Sequence, residues 1–198
     1  MDHGNDIPRL SHLLQLGFDM VHFDGSKLDY QTNLTQTTQF ISQVKSITPN
    51  CLIEAEFNHI NLVDQQVSSD SFTNPQQAVE FVTQTKADLL AISIGNLHGV
   101  SQELPEKIDL NLLQQINSVL PNQFFTLHGG SGIPVADVKS SLQYGIVKMN
   151  INTDLRLCFL KSLNQYLPQN KSEKIYDLFG LVINDLKQVI KDKFSCLM

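Results

Sequence analysis

The sequence predicts an α/β fold built on a parallel sheet, and three observations lead there. Short β-branched or apolar runs alternate with amphipathic stretches at about 30 residues per unit, the spacing of repeated βα units. The runs are nearly continuous in apolar residues, as in strands covered on both faces. Polar and titratable residues gather at the C-terminal ends of those runs. A doubly wound sheet and a β/α barrel both satisfy the first two observations. The third matches the barrel, whose strand ends deliver their side chains to one site.

The elements follow in order. Met20-Val21-His22-Phe23 is a short run stopped by the turn signal Asp24-Gly25-Ser26. Residues 30–47 place Leu34, Thr37, Phe40, Ile41 and Val44 at near-helical spacing. Residues 51–56 form the next strand, with Pro49-Asn50 in front of it, and residues 58–71 form a long polar loop. Thr73 or Asn74 can cap a helix that Pro75 opens, and Ala78, Val79, Phe81 and Val82 give that helix its buried face. Residues 89–94 read as a buried strand stopping at Gly95. A helix over 110–119 leads to the strand 124–127 and then to His128-Gly129-Gly130-Ser131-Gly132. Residues 135–144 are helical and end at Gly145, a natural C-cap. The last strand covers 146–151, and 155–194 hold two or three helices. No internal repeat or linker divides the chain, so residues 1–198 are expected to form a single domain.

Composition narrows the function classes. Hydrophobic residues make up 41% and charged residues 17%, as in an ordinary globular protein. Fourteen Lys+Arg against twenty Asp+Glu leave a net charge of −6, which argues against a nucleic-acid partner. No apolar run reaches the roughly 18–20 residues needed to span a bilayer, so no membrane partner is expected. The start, Met-Asp-His-Gly-Asn-Asp, has neither the basic nor the apolar region of a secretory signal. Cys51, Cys158 and Cys196 are widely spaced without a CxxC pair, and read as reduced thiols of a cytoplasmic protein.

Chemistry-bearing residues sit at one recurring place. Asp2-His3 opens the chain, Asp24 closes the first run, and Glu54 and Glu56 end the next. His98, His128, Asn150 and Thr153 follow later strands. A lone histidine more often caps a loop than binds a metal. Three on different strand ends fit a zinc site that keeps an open coordination position, as catalytic zinc requires. His12, on a helix, and His22, inside a strand, read as unrelated scatter. Gly129-Gly130-Ser131-Gly132, after a strand and before a helix, can form a phosphate cradle or merely a tight turn.

Together, several motifs in order carry a resemblance. Asp-His-Gly, Asp-Gly-Ser-Lys-Leu, Glu-Ala-Glu, Phe-Thr-Asn-Pro and Ala-Ile-Ser-Ile-Gly-Asn-Leu-His-Gly are followed by Leu-His-Gly-Gly-Ser-Gly-Ile-Pro and Lys-Met-Asn-Ile-Asn-Thr-Asp-Leu. The set resembles the class II, zinc-dependent ketose-bisphosphate aldolases, a group that includes fructose- and tagatose-bisphosphate aldolases. The resemblance implies a (β/α)8 TIM barrel with C-terminal helices, here without its first two strands. It implies zinc on His3, His98 and His128, with Glu56 as a candidate fourth ligand. Asp24 and Glu54 match positions that support the ligands or hold an alternate metal. Asp2 matches the aspartate that moves a proton at the hydroxyl beside the breaking carbon–carbon bond. Gly99, Gly129, Gly130 and Ser131 match positions holding a monovalent cation (Na+ or K+) and the phosphate, with Thr153 also on the phosphate. Asn150 matches a contact to the dihydroxyacetone-phosphate part. The implied reaction cleaves fructose or tagatose 1,6-bisphosphate into dihydroxyacetone phosphate and glyceraldehyde 3-phosphate, an aldol step of glycolysis-type carbohydrate metabolism. Zinc then serves as Lewis acid in place of a lysine Schiff base, and no lysine sits where a nucleophile is expected. A homodimer or homotetramer is implied.

Three departures accompany the resemblance. The family carries about two and a half further β/α units before Asp-His-Gly, which suggests a mis-assigned start codon, a split or decayed gene, or a fragment. The loop after Glu56 reads Phe57-Asn58-His59-Ile60-Asn61-Leu62-Val63-Asp64-Gln65-Gln66, without the family's glycines, and leaves Asp64 or Asp70 as stand-ins for its base. Val100-Ser101-Gln102 replaces a basic pair after His98-Gly99. The alternative reading is a non-catalytic barrel remnant that binds metal or sugar phosphate, or partners another chain. A third is a fragment that does not fold alone.

Overall fold

A computed structural model of the chain describes residues 2–64, 71–100 and 107–197. Helix α1 (Ile7–Gln15) precedes β1 (Met20–Asp24). The chain then alternates through α2 (Tyr30–Ile47), β2 (Leu52–Glu56), α3 (Pro75–Thr85), β3 (Leu89–Ala91), α4 (Leu110–Val119), β4 (Phe124–Leu127), α5 (Val135–Ser141) and β5 (Ile146–Met149). Two further helices, α6 (Thr153–Tyr166) and α7 (Ile175–Leu197), close the order. All neighbouring strands pair in parallel, in the order β1-β2-β3-β4-β5. The α/β alternation read from the sequence is therefore the observed fold.

Local chemistry starts the helices where they start. Asp6, Asp29, Asn74 and Asp109 each turn a side-chain oxygen onto a first-turn N–H of α1, α2, α3 and α4. Strand alternation then sorts the faces. Val21, Phe23, Ile53 and Ala55 are buried in the core with Phe40, Phe81, Leu113 and Ile116 of the helices. His22 and Asp24 take the opposite parity and pair in register with Glu54 and Glu56. One side of the sheet is thus apolar under the helices, while the other carries ionisable groups.

The sheet is strongly curled. Gly4 forms a parallel bridge with Phe23, its N–H reaching His22 O at 3.1 Å and its carbonyl receiving the Asp24 N–H at 2.8 Å. Residues 2–4 therefore lie one strand position beyond β1, five positions from β5. In a flat sheet that distance would be about 24 Å, at about 4.8 Å per strand. Instead Asn150, just after β5, donates to Asp2 Oδ1 at 2.8 Å. Only barrel-like curvature allows that contact.

Two strands end earlier than the apolar runs suggest. β3 was expected over 89–94 and stops at Ala91, because other groups take over the following backbone. Thr73 Oγ1 accepts from Ser93 N–H at 2.8 Å and Asn96 Oδ1 accepts from Ile94 N–H at 2.9 Å. Residues 92–94 stay buried without pairing as strand. β5 was expected over 146–151 and stops at Met149, where Asn150 turns its N–H to Leu127 O and its carbonyl to Gly130 N–H. The segment 155–194 resolves into α6 and α7, which pack with Ser162 donating to Asp185 at 2.6 Å. Among the described residues no helix is long and apolar enough to cross a membrane.

Asn33 ties a helix to the site. Fully buried on α2, it donates to the Glu56 carbonyl at 3.0 Å and accepts from Thr37 Oγ1 at 2.8 Å. Asn33→Ala would strand both partners away from water. We expect it to lower unfolding stability by about 2 kcal/mol, measured by urea denaturation followed by circular dichroism.

Candidate functional site

Residues expected from the sequence to share a site converge at the C-terminal mouth of the sheet. His3 arrives on the bridge segment with a left-handed backbone (φ 49°), uncommon for a residue with a side chain. His98 is held by the first part of the long loop: its N–H donates to Asn61 O at 2.8 Å, and its carbonyl accepts from Val63 N–H at 3.1 Å. His128 follows β4 and is wholly buried, with its carbonyl gripped by the Asn96 amide at 3.0 Å. Gly129 stands behind it at φ 65°, where a Cβ would lie 1.9 Å from Leu97 O. Only glycine allows the two histidine loops to approach that closely.

One nitrogen each of His3, His98 and His128 falls within a mutual 4.8 Å. The rings are 4.5 to 5.9 Å apart, centre to centre. Each ring is prepared differently. His128 Nε2 meets Glu54 Oε1 at 2.8 Å, and Glu54 Oε2 accepts from Lys148 Nζ at 2.7 Å. Burial pushes the Glu54 carboxyl up, but His128, His22 and Lys148 outweigh it and hold the pKa at about 2. An ionised Glu54 puts the His128 proton on Nε2 and leaves a lone pair on Nδ1, which the Asn150 amide approaches at 3.2 Å. His3 Nδ1 lies 2.8 Å from Asp24 Oδ2, and Asp24 is in turn held by the Ser26 N–H and hydroxyl. That Asp24 contact raises the His3 pKa against burial. His98 moves the other way: burial first, then the nearby His3 and His128 rings, lower its pKa. His3 Nε2 is buried without a hydrogen-bond partner. Buried polar atoms of this kind call for an ion or a water, and three imidazoles suit a divalent metal.

The other residues named from the sequence are also placed. Asp2 is half exposed and lies against Asn150 and His22. Burial raises its pKa, but His22, His128 and His3 outweigh that and leave it well below the ordinary carboxylate range. Glu54 and Asp24 are engaged with His128 and His3. Glu56 instead groups with His3 and His22. A cavity of about 550 Å³ is lined by Asp2, His3, His98, Gly99, His128, Gly129, Ser131, Asn150, Thr153 and Arg156. The first turn of α6 faces it without a side-chain cap, although Ser131 Oγ takes the Asp154 N–H at 3.1 Å. Free N–H groups at a helix start beside a glycine turn favour an anion. Gly130 does not line this cavity. Its N–H goes to Asn150 O, and a Cβ there would meet Met149 at 2.5 Å.

Four residues were not foreseen in these places. His22, read as scatter, is 1% exposed at the centre of the cluster, with its ring 5.0 Å from His3 and 5.1 Å from His128. His22 is therefore part of the cluster and not scatter: its β1 parity matches Asp24, and the same alternation that buries Val21 and Phe23 elsewhere sends it inward. Lys148 enters as the partner of Glu54, Asn96 as the clamp on His128, and Arg156 as a cavity wall. His12 is exposed on α1 and takes no part. Asp64, a stand-in for the loop base, is exposed; Asp70 and residues 101–102 lie outside the described residues.

Comparisons with known proteins agree with this arrangement. The family model for class II fructose-bisphosphate aldolase matches residues 1–198. A sulfofructosephosphate aldolase of Alkalicoccus urumqiensis is 32% identical over 177 residues, covering 87% of this chain and 60% of the relative. A fructose-bisphosphate aldolase of Mycoplasma pneumoniae is 35% identical over 172 residues, covering 86% and 58%. This chain thus spans about three fifths of the length of those relatives. Among solved structures, the YdjI aldolase of Escherichia coli K12 superposes with a TM-score of 0.83 at 26% identity, covering 98% of this chain and 67% of that one. A Campylobacter jejuni fructose-bisphosphate aldolase shares the fold at a TM-score of 0.73 and 20% identity, covering 96% and 65%. On this evidence the chain belongs to the class II fructose-bisphosphate aldolase family.

Proposed function

We propose that this chain carries the metal and sugar-phosphate site of a zinc-dependent aldolase that cleaves a ketose 1,6-bisphosphate, fructose or tagatose, into two triose phosphates. The observation that supports it most is the meeting of His3, His98 and His128 within 4.8 Å beside a cavity with an uncapped helix start. Zinc bound there would supply Lewis-acid stabilisation to the oxyanion that develops as the carbon–carbon bond breaks.

The chain's own residues supply the rest. Glu54 and Asp24 orient the His128 and His3 rings, which is how we read these two carboxylates in place of an alternate metal site. Asp2, ionised and reachable from the cavity, takes the proton from the hydroxyl next to the scissile bond. Asn150 holds the Asp2 carboxylate at 2.8 Å and presents its amide to the dihydroxyacetone-phosphate half. Gly129, Ser131 and Thr153 bind a phosphate at the α6 start, with Gly99 and Gly129 offering carbonyls to a monovalent cation. The loop after Glu56, which departs from the family pattern, favours a second reading: binding of zinc and sugar phosphate without turnover.

The 198-residue chain, loaded with zinc, is expected to bind one zinc ion and to cleave fructose or tagatose bisphosphate. A chelator should abolish the cleavage and His128→Ala should remove the zinc, both followed by metal analysis and a coupled triose-phosphate assay. Stoichiometric zinc without cleavage would select the second reading, and no zinc binding would defeat both. Asp2→Asn should retain zinc while kcat falls by about 10²- to 10⁴-fold, the usual contribution of a positioned acid–base group. An unchanged kcat would remove Asp2 from the proton transfer.

A further inference from the structure

We propose that Lys193 is a positioning residue that holds the Asp154 carboxylate away from the start of α6 and so leaves that helix end to a substrate phosphate; this rests on the phosphate reading above. Asp154 and Ser162 on α6 meet Lys193 and Asp185 on α7. The two helices therefore run antiparallel, and the end of α7 lies beside the start of α6. Lys193 Nζ stands 2.5 Å from Asp154 Oδ2, with the side chains 25% and 24% exposed. The pair is an electrostatic one, since Oδ2 makes no aligned hydrogen bond.

Asp154 needs such a partner because of where it sits. It is the acidic residue of the first turn of α6, whose N-cap Asn152 contributes no side-chain hydrogen bond. A carboxylate there is drawn to the positive end of the helix, the same field that would hold a phosphate. Turned onto the first-turn N–H groups, it would occupy them and repel an arriving dianion. Asn152, Thr153 and Arg156 line the cavity, whereas Asp154 does not. Among the described residues, the side-chain acceptor on an N–H of this turn is Ser131 Oγ, which takes the Asp154 N–H at 3.1 Å. Ser131 is 1% exposed and lines the cavity, and its hydroxyl hydrogen has no acceptor among the described residues. A buried donor left free beside an uncapped helix start calls for an anion. Lys193 keeps the chain's own carboxylate from being that anion.

The experiment is a double-variant cycle on the full, zinc-loaded chain, with inorganic phosphate as the probe and calorimetric titration as the readout. Lys193→Met is expected to bind phosphate about fivefold more weakly, the upper range for one charge at an exposed helix end. Asp154→Asn should bind it at least as tightly as the parent. The double variant should return to within about twofold of the parent, because the competing charge is gone. Lys193→Arg, which keeps the cation, should stay near the parent. Zinc affinity, measured by competition with a chromophoric chelator, should hold in all four, which separates the effect from damage to the histidine centre. Thermal unfolding checks that each variant is folded, and Lys193→Gln takes the place of Lys193→Met if that variant is not. Three results overturn the proposal and make the pair a tie between helices only: phosphate affinity unchanged in Lys193→Met, a loss that Asp154→Asn does not rescue, or a loss that zinc affinity shares. A parent chain that binds zinc but no phosphate would overturn the phosphate reading and this proposal with it.

Discussion

Everything at the mouth of this sheet depends on one buried carboxylate. Glu54 has no exposed surface, yet it is ionised because His128 and Lys148 each supply a hydrogen-bonded partner. It starts on β2, reaches the end of β4 and meets the β5 side chain, so it braces strands that are not neighbours. An ion pair taken out of water contributes little net stability. Leaving one member alone is far more costly, about 3–5 kcal/mol. The bracing is therefore all-or-nothing: curvature that brings Lys148 to Glu54 also brings His128 to His3, and loss of the first would undo the second.

The fold was legible because its signals are local. Apolar runs, the Asn74 cap before α3 and the glycine that ends the helix before β5 are written within a few residues of where they act. Two of the metal candidates, His98 and His128, were legible for a related reason, since each follows a strand. Where the reading stopped short, the determinant was distant. β3 ends at Ala91 because Thr73 and Asn96 compete for its backbone, and no apolar pattern reports such competition. His22 and Lys148 lie inside strands, where a polar residue looks like an interruption. Their parity was the available clue, as His22 alternates with Val21 and Phe23, and Lys148 shares the inward side with Thr126 by register.

The histidines also act as a partition. A second cavity of about 610 Å³, lined by Asp24, Lys27, Glu56, His59 and Ile60, touches the first through His3, Leu62 and His98. The first has the glycine turn and the α6 start. The second has a lysine and two carboxylates. A metal at the wall between them would be reached from both sides, but the electrostatic surroundings differ sharply. Anionic groups are favoured on the α6 side, where the helix start has no side-chain cap, whereas Asp24 and Glu56 disfavour them on the other.

The contact between Asp2 and Asn150 spans 148 residues of sequence, the Lys148–Glu54 pair spans 94, and the His128–Glu54 pair spans 74. Such pairings bear their loop-closure entropy before any local gain, and chains dominated by them fold slowly. The helices can form early from their caps, but the histidines meet only once the sheet has curled. A divalent cation that binds only the assembled site would then act on the folding equilibrium by mass action. Its concentration in the surrounding medium would set how much of the population is held in the closed, curled state.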